Sequence, residues 1–182
     1  MKGATNMAGI QVGGEGITLT IKGNGSLTAT GYSQSAGIGL SRAWNLDYDV
    51  VGGDVVIEGG NITAQGGSYG AGIGTGILQG SGRKVTLGNI TIKGGTVKAI
   101  DGKAPNGDKV ANGIGTGDAY PGCTNEVGEI TIYDDIVVVD ASSISKDVTY
   151  MHGETDVTDS KEEYFTVNKN DDRMAIAQKL TI

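Results

Sequence analysis

At 182 residues, with 33 glycines, 2 prolines and a lone cysteine, the chain has room for one well-buried domain and lacks the means for a disulfide framework or a Cys-rich metal site. Its formal charge of -7 disfavours nucleic acid, whose phosphates would repel it, and an anionic membrane surface. No run of 18 apolar residues is present to span a membrane, and Met1 to Met7 lacks the apolar stretch of a signal peptide, so any export is expected to be encoded outside these residues.

Glycine at this density, with no G-X-Y period and with apolar runs such as ITLTI and NITIKGG, predicts a folded all-β chain that turns often. Residues 1 to 16 begin inside a motif, Ala8-Gly9-Ile10, with no strand pair ahead of it. An open solenoid end exposes backbone and apolar surface, so we expect a piece of a longer repetitive chain with neighbouring domains as partners.

From residue 17 the strands fall in pairs. Ile17 to Ile21 leads to Ser26 to Ala29, Asp54 to Ile57 leads to Asn61 to Ala64, Asn89 to Ile92 leads to Thr96 to Ala99, and Glu129 to Ile132 leads to Ile136 to Val139. Glycine or Asp corners separate the members of each pair, from Gly23-Asn24-Gly25 to Asp134-Asp135. Alternation points Leu19, Ile21, Val55, Ile57, Ile90, Ile92, Ile130 and Ile132 inward, with Thr20, Val56, Thr91 and Thr131 outward. On the second strands the inward pairs are Leu27/Ala29, Ile62/Ala64, Val97/Ala99 and Val137/Val139. Lys22, Glu58 and Lys93 should then stack outward on successive coils, with Tyr133 continuing the column.

After each of the first three pairs comes one phrase: Ala36-Gly37-Ile38-Gly39, Ala71-Gly72-Ile73-Gly74 and Asn112-Gly113-Ile114-Gly115, echoing Ala8-Gly9-Ile10. The isoleucines recur at spacings of 28, 35 and 41 residues (10 to 38, 38 to 73, 73 to 114), a period that marks a solenoid or array. The segments that follow, Leu40 to Gly53, Ile77 to Gly88 and Asp118 to Gly128, vary most and are expected to be loops leaving one corner. After Val139 the pattern fades. Ser142 to Asp159 is polar and turn-rich, and Tyr164 to Val167 and Met174 to Ala177 read as two strands about the turn Asn168 to Asp172, as expected of a cap. The predicted fold is all-β: a right-handed parallel β-helix of about four coils over residues 1–140, with a capping segment, 141–182, in the same domain.

With these pairs and phrases in place, the chain resembles the glycine-rich right-handed parallel β-helices of secreted and cell-surface bacterial proteins, pectin-lyase-like in shape, over roughly residues 8 to 140. The resemblance implies an extracellular or cell-surface location. That broad group holds pectate and alginate lyases, glycoside hydrolases, adhesins and polysaccharide-binding modules without catalysis, so activity must be argued from a site.

In the pectate-lyase-like enzymes of that group acids hold calcium and a basic residue takes the proton; here Asp47, Asp49 and Asp54 share one region with Arg42, and Arg83 sits near the corresponding corner. Asp in a Gly-rich loop reads first as a turn former. His152, the only histidine, has Glu154 and Asp156 nearby and reads as a solvated residue. The Gly-Ile-Gly phrases lack a following Lys-[ST] and a helix, so they are not phosphate loops. We therefore expect no catalytic residue, no metal and no cofactor.

Aromatic residues offer the contact surface. Trp44 and Tyr48 occupy the first variable segment and Tyr120 the third; Trp44 and Tyr120 each stand six residues after a phrase isoleucine, which would set them two coils apart, about 9.6 Å. Flat rings at that spacing suit sugar faces, or else cover loop backbone. The expected function is a non-catalytic module binding polysaccharide or a host or cell-surface glycan through Trp44, Tyr48 and Tyr120. A structural stalk is the first alternative and a polysaccharide lyase or glycoside hydrolase the second.

Overall fold

A computed structural model describes residues 1–3, 5–80, 82–171 and 173–179. Ser81 of the second variable segment, Asp172 of the expected turn and residues 180–182 of the closing segment lie outside the described residues.

Threonine–isoleucine alternation favours a pleated strand with one apolar face, and such strands here stack in parallel. Thr18–Ile21, Asp54–Ile57, Ile90–Ile92 and Ile130–Tyr133 are successive neighbours in one sheet, with Leu19, Val55, Ile90 and Ile130 in one register column. Ser26–Thr30, Asn61–Gln65, Gly95–Ile100 and Ile136–Ala141 form a second. The phrase strands supply a third, in which Ile10, Ile38, Ile73 and Ile114 pair in sequence. The expected parallel β-helix is borne out, and Ile57 meets Ile92 in parallel rather than in a sandwich. Val55, Ile57, Ile73, Ile90, Ile92 and Ile114 are fully buried in one continuous core.

The second glycine of the phrase has a steric cause. Gly39 and Gly74 hold φ of +135° and +148°, where a side chain is strained, and a Cβ on either would land on the carbonyl oxygen of the equivalent glycine in the next coil. Only a residue without Cβ lets the coils approach at strand spacing there.

The outward column is also in place. Glu58 N–H donates to Ile21 O and Lys93 N–H to Ile57 O, so Lys22, Glu58 and Lys93 follow paired residues on successive strands. The Lys93 ammonium lies 5.8 Å from the Tyr133 ring centroid. None of the ion pairs among the described residues joins Glu58 to either lysine.

Two expectations about these coils need correction. The variable segments are not plain loops: Ala43–Trp44 pairs with Leu78–Gln79, and Val50–Val51, Lys84–Leu87 and Thr124–Val127 form another parallel sheet. Val85, Leu87 and Leu78 bury themselves as deeply as the main strands. Val137 does not face inward. The register shifts at Gly95/Thr96, pairing Thr96 with Val138 and Ala99 with Ala141, so Val137 is the extra residue of a bulge and is 66% exposed while Val139 and Ala141 are buried.

Beyond Val139 the stacking continues. Ile144 bridges Ile114 in parallel, and Val148–His152, unanticipated within the polar stretch, extends the first sheet beside Ile130–Tyr133. Phe165–Asn170 and Arg173–Gln178 then form an antiparallel hairpin that pairs with Ile136–Ala141, its strands running further into the expected turn than anticipated. Phe165, buried, meets the Tyr150 ring edge-on at 4.9 Å between centroids.

Candidate functional site

The short strands of the variable segments position the site. Trp44 pairs with Gln79 in parallel register, and Leu78 bridges Ala119, which puts Tyr120 at the next equivalent position. Backbone bonds hold this line: Asn45 N–H donates to Gln79 O at 2.8 Å, and Tyr120 N–H donates to Leu78 O at 3.0 Å. Trp44, Gln79 and Tyr120 thus stand on successive coils, the outer two separated by about 9.6 Å of strand stacking.

These residues border a cavity of about 670 Å³ lined by Trp44, Asn45, Leu46, Gln79, Gly80 and Tyr120. The volume suits a small ligand, and the described lining carries no ionisable group other than the Tyr120 phenol. Trp44 and Tyr120 are 54% and 49% exposed, whereas Gln79 between them is only 8% exposed. Gln79 Oε1 is buried without a hydrogen-bond partner. The expectation that Trp44 and Tyr120 project from equivalent corners therefore has a structural counterpart. Tyr48, 60% exposed, stands outside the described lining.

Each wall is fixed by local chemistry. The Arg42 guanidinium packs 3.5 Å from the centre of the Trp44 ring and so backs one indole face. Arg42 Nη1 reaches Asn6 Oδ1 at 3.4 Å, while Nε and Nη2 are buried without partners. Burial lowers the Arg42 pKa, and the nearby Tyr120 offsets part of that. Tyr120 opens the turn Tyr120-Pro121-Gly122-Cys123, closed by a 2.9 Å bond from Cys123 N–H to Tyr120 O, with Gly122 at φ +81°. Pro followed by a positive-φ Gly is the pattern of a type II turn, which restrains the ring's backbone. The Cys123 thiol, free and half-buried, approaches Gly80 O at 3.4 Å and ties this turn to the coil before it.

The other residues singled out from the sequence do not join this groove. Asp49 Oδ1 accepts from Lys84 N–H and Asp54 Oδ1 from Asn89 N–H, each linking one coil to the next. Arg83 offers its carbonyl to Thr124 N–H. Among the described residues no group of three or more His, Cys, Asp or Glu side chains converges to hold a metal. His152 is exposed, as expected, but its partner is Asp134 Oδ2 at 2.6 Å, and its ring stacks on Tyr164 at 4.3 Å. Asp156, the neighbour expected for it, accepts instead from Thr158 N–H and Oγ1, and those bonds lower its pKa.

Sequence reasoning missed Gln79 and the part played by Arg42. The signal for Gln79 was available, because it stands six residues after Ile73 just as Trp44 and Tyr120 stand six after Ile38 and Ile114. Arg42 had no such signal, since its packing under Trp44 depends on side-chain conformation.

The beta helix repeat family matches residues 19–41, 55–77 and 90–118. Each matched stretch runs from a first-sheet strand through one Gly-Ile-Gly phrase. No curated protein and no solved structure matches the chain.

Proposed function

The chain is a parallel β-helix carrying beta helix repeats, and we propose that it is a non-catalytic module of a secreted or surface-anchored bacterial protein that binds polysaccharide at the Trp44–Gln79–Tyr120 groove. One observation carries this reading: two half-exposed rings on equivalent positions of different coils border the same cavity. Aromatic faces stack on the apolar faces of pyranose rings, and affinity accumulates when several such contacts act on one chain. The six described lining residues include no carboxylate, histidine or thiol for acid–base or nucleophilic work, which supports binding rather than turnover.

A glycan array probed with wild type, Trp44→Ala and Tyr120→Ala tests the proposal. Binding by the wild type, weakened at least about fivefold by each substitution, is the expected outcome. Binding that survives both would place recognition elsewhere on the molecule. No binding by the wild type would favour the second reading, a spacer between neighbouring domains. Strand ladders that run from coil to coil in every sheet support that second role.

A further inference from the structure

Among the described lining residues, Gln79 is the one whose side chain holds a buried polar atom without a partner. It is more than nine-tenths buried, it lies between the two exposed rings, and its Oε1 has no partner. A buried acceptor without a donor opposes folding, and Leu or Met would fill the same space without that penalty. Oε1 can only accept, so the group it lacks is a donor.

We propose that Gln79 is the specificity-determining residue of the groove, that its Oε1 accepts a hydrogen bond from a sugar hydroxyl, and that the ligand is an uncharged glycan lying along the axis of the solenoid. This rests on the binding reading of the groove given above. The direction follows from register: Trp44, Gln79 and Tyr120 succeed one another across strands, so a ligand that touches all three crosses the coils rather than following one. The charge class follows from chemistry. The described lining offers no cationic group to pair with a uronate carboxylate, and the chain carries a formal charge of -7 that repels a polyanion. Arg42 is not among the lining residues; its guanidinium packs against the indole, 3.5 Å from the ring centre.

Gln79→Leu separates a binding role from a structural one. Removing an acceptor that is unpartnered in the free protein should leave the thermal midpoint unchanged or raise it, while affinity falls. The probes are hexasaccharides of β-1,4-linked glucose, mannose and xylose, with hexagalacturonate as the charged counterpart, titrated calorimetrically into wild type, Gln79→Leu and Trp44→Ala. The expected result is that at least one neutral hexasaccharide binds and hexagalacturonate binds at least tenfold more weakly. Gln79→Leu should then lose tenfold or more in affinity without loss of thermal stability. If Gln79→Leu does not fold, Gln79→Met, unbranched like glutamine, carries the same comparison.

Binding that is lost in Trp44→Ala but intact in the Gln79 variant would keep the groove and overturn the role of Gln79. Preference for hexagalacturonate would overturn the uncharged class. No binding of any of the four by the wild type would remove this proposal together with the groove reading.

Discussion

Gly74 shows how much of this fold rests on single backbone positions. At φ +148°, with the Gly115 carbonyl oxygen where a Cβ would stand, it cannot accept a side chain unless two coils move apart. Gly74→Ala is expected to cost at least about 3 kcal/mol in denaturant unfolding. Gly16→Ala, at φ +77° with open space around it, should cost only about 1 kcal/mol, the strain of the left-handed region alone. Equal costs at the two positions would show that coil contact is not the cause. Tyr150 makes a separate prediction. Burial, with a smaller push from the Glu162 charge, raises its pKa from 10.0 to about 12. The fold therefore favours the neutral phenol. That contribution is fully present below about pH 10, where the unfolded chain would begin to ionise, and is lost as the pH rises through about 12. It amounts to something on the order of 2 kcal/mol. Unfolding free energies measured from pH 9 to 12 should fall more steeply for wild type than for Tyr150→Phe, and parallel curves would contradict the assignment.

At the scale of the element, what the sequence makes legible is periodicity. The strand pairs from Asp54 to Ala64 and the column of phrase isoleucines emerge from alternation and repetition, because a period of two with glycine punctuation has few other meanings. Strands of two residues, such as Ala43–Trp44 and Leu78–Gln79, are too short to show a period, so segments that stack into the body read as loops. The bulge at Val137 is illegible for a related reason. Alternation assigns Val137 and Val139 to the same face, and only the register with Gly95–Ile100 reveals the extra residue. Substitution distinguishes the two valines. Val137→Thr should change stability by no more than about 0.5 kcal/mol, while Val139→Thr, which places a hydroxyl in the core, should cost about 1–3 kcal/mol. Comparable losses at both sites would restore the uninterrupted alternation.

The candidate site belongs to no single element. Three coils contribute to it, with positions 44, 79 and 120 in register, and the groove exists only because parallel stacking keeps them in line. Counting from the phrase isoleucine places both rings, since the count follows the backbone. It says nothing of Tyr48, which lies past the paired segment and stands apart from the cavity. Nor does it reveal which side chain between the rings is buried and unsatisfied, because that depends on side-chain packing. The arrangement also supplies its own reporter, as Trp44 is the only tryptophan in the chain and lines the groove. Tryptophan fluorescence titrated with the neutral hexasaccharides is therefore the most direct measurement of whether the groove takes a glycan. The account predicts a saturable change in Trp44 emission whose midpoint moves to at least about tenfold higher concentration in Tyr120→Ala, as one ligand reaching both rings requires. Glycan binding detected calorimetrically with no change in Trp44 emission would contradict it.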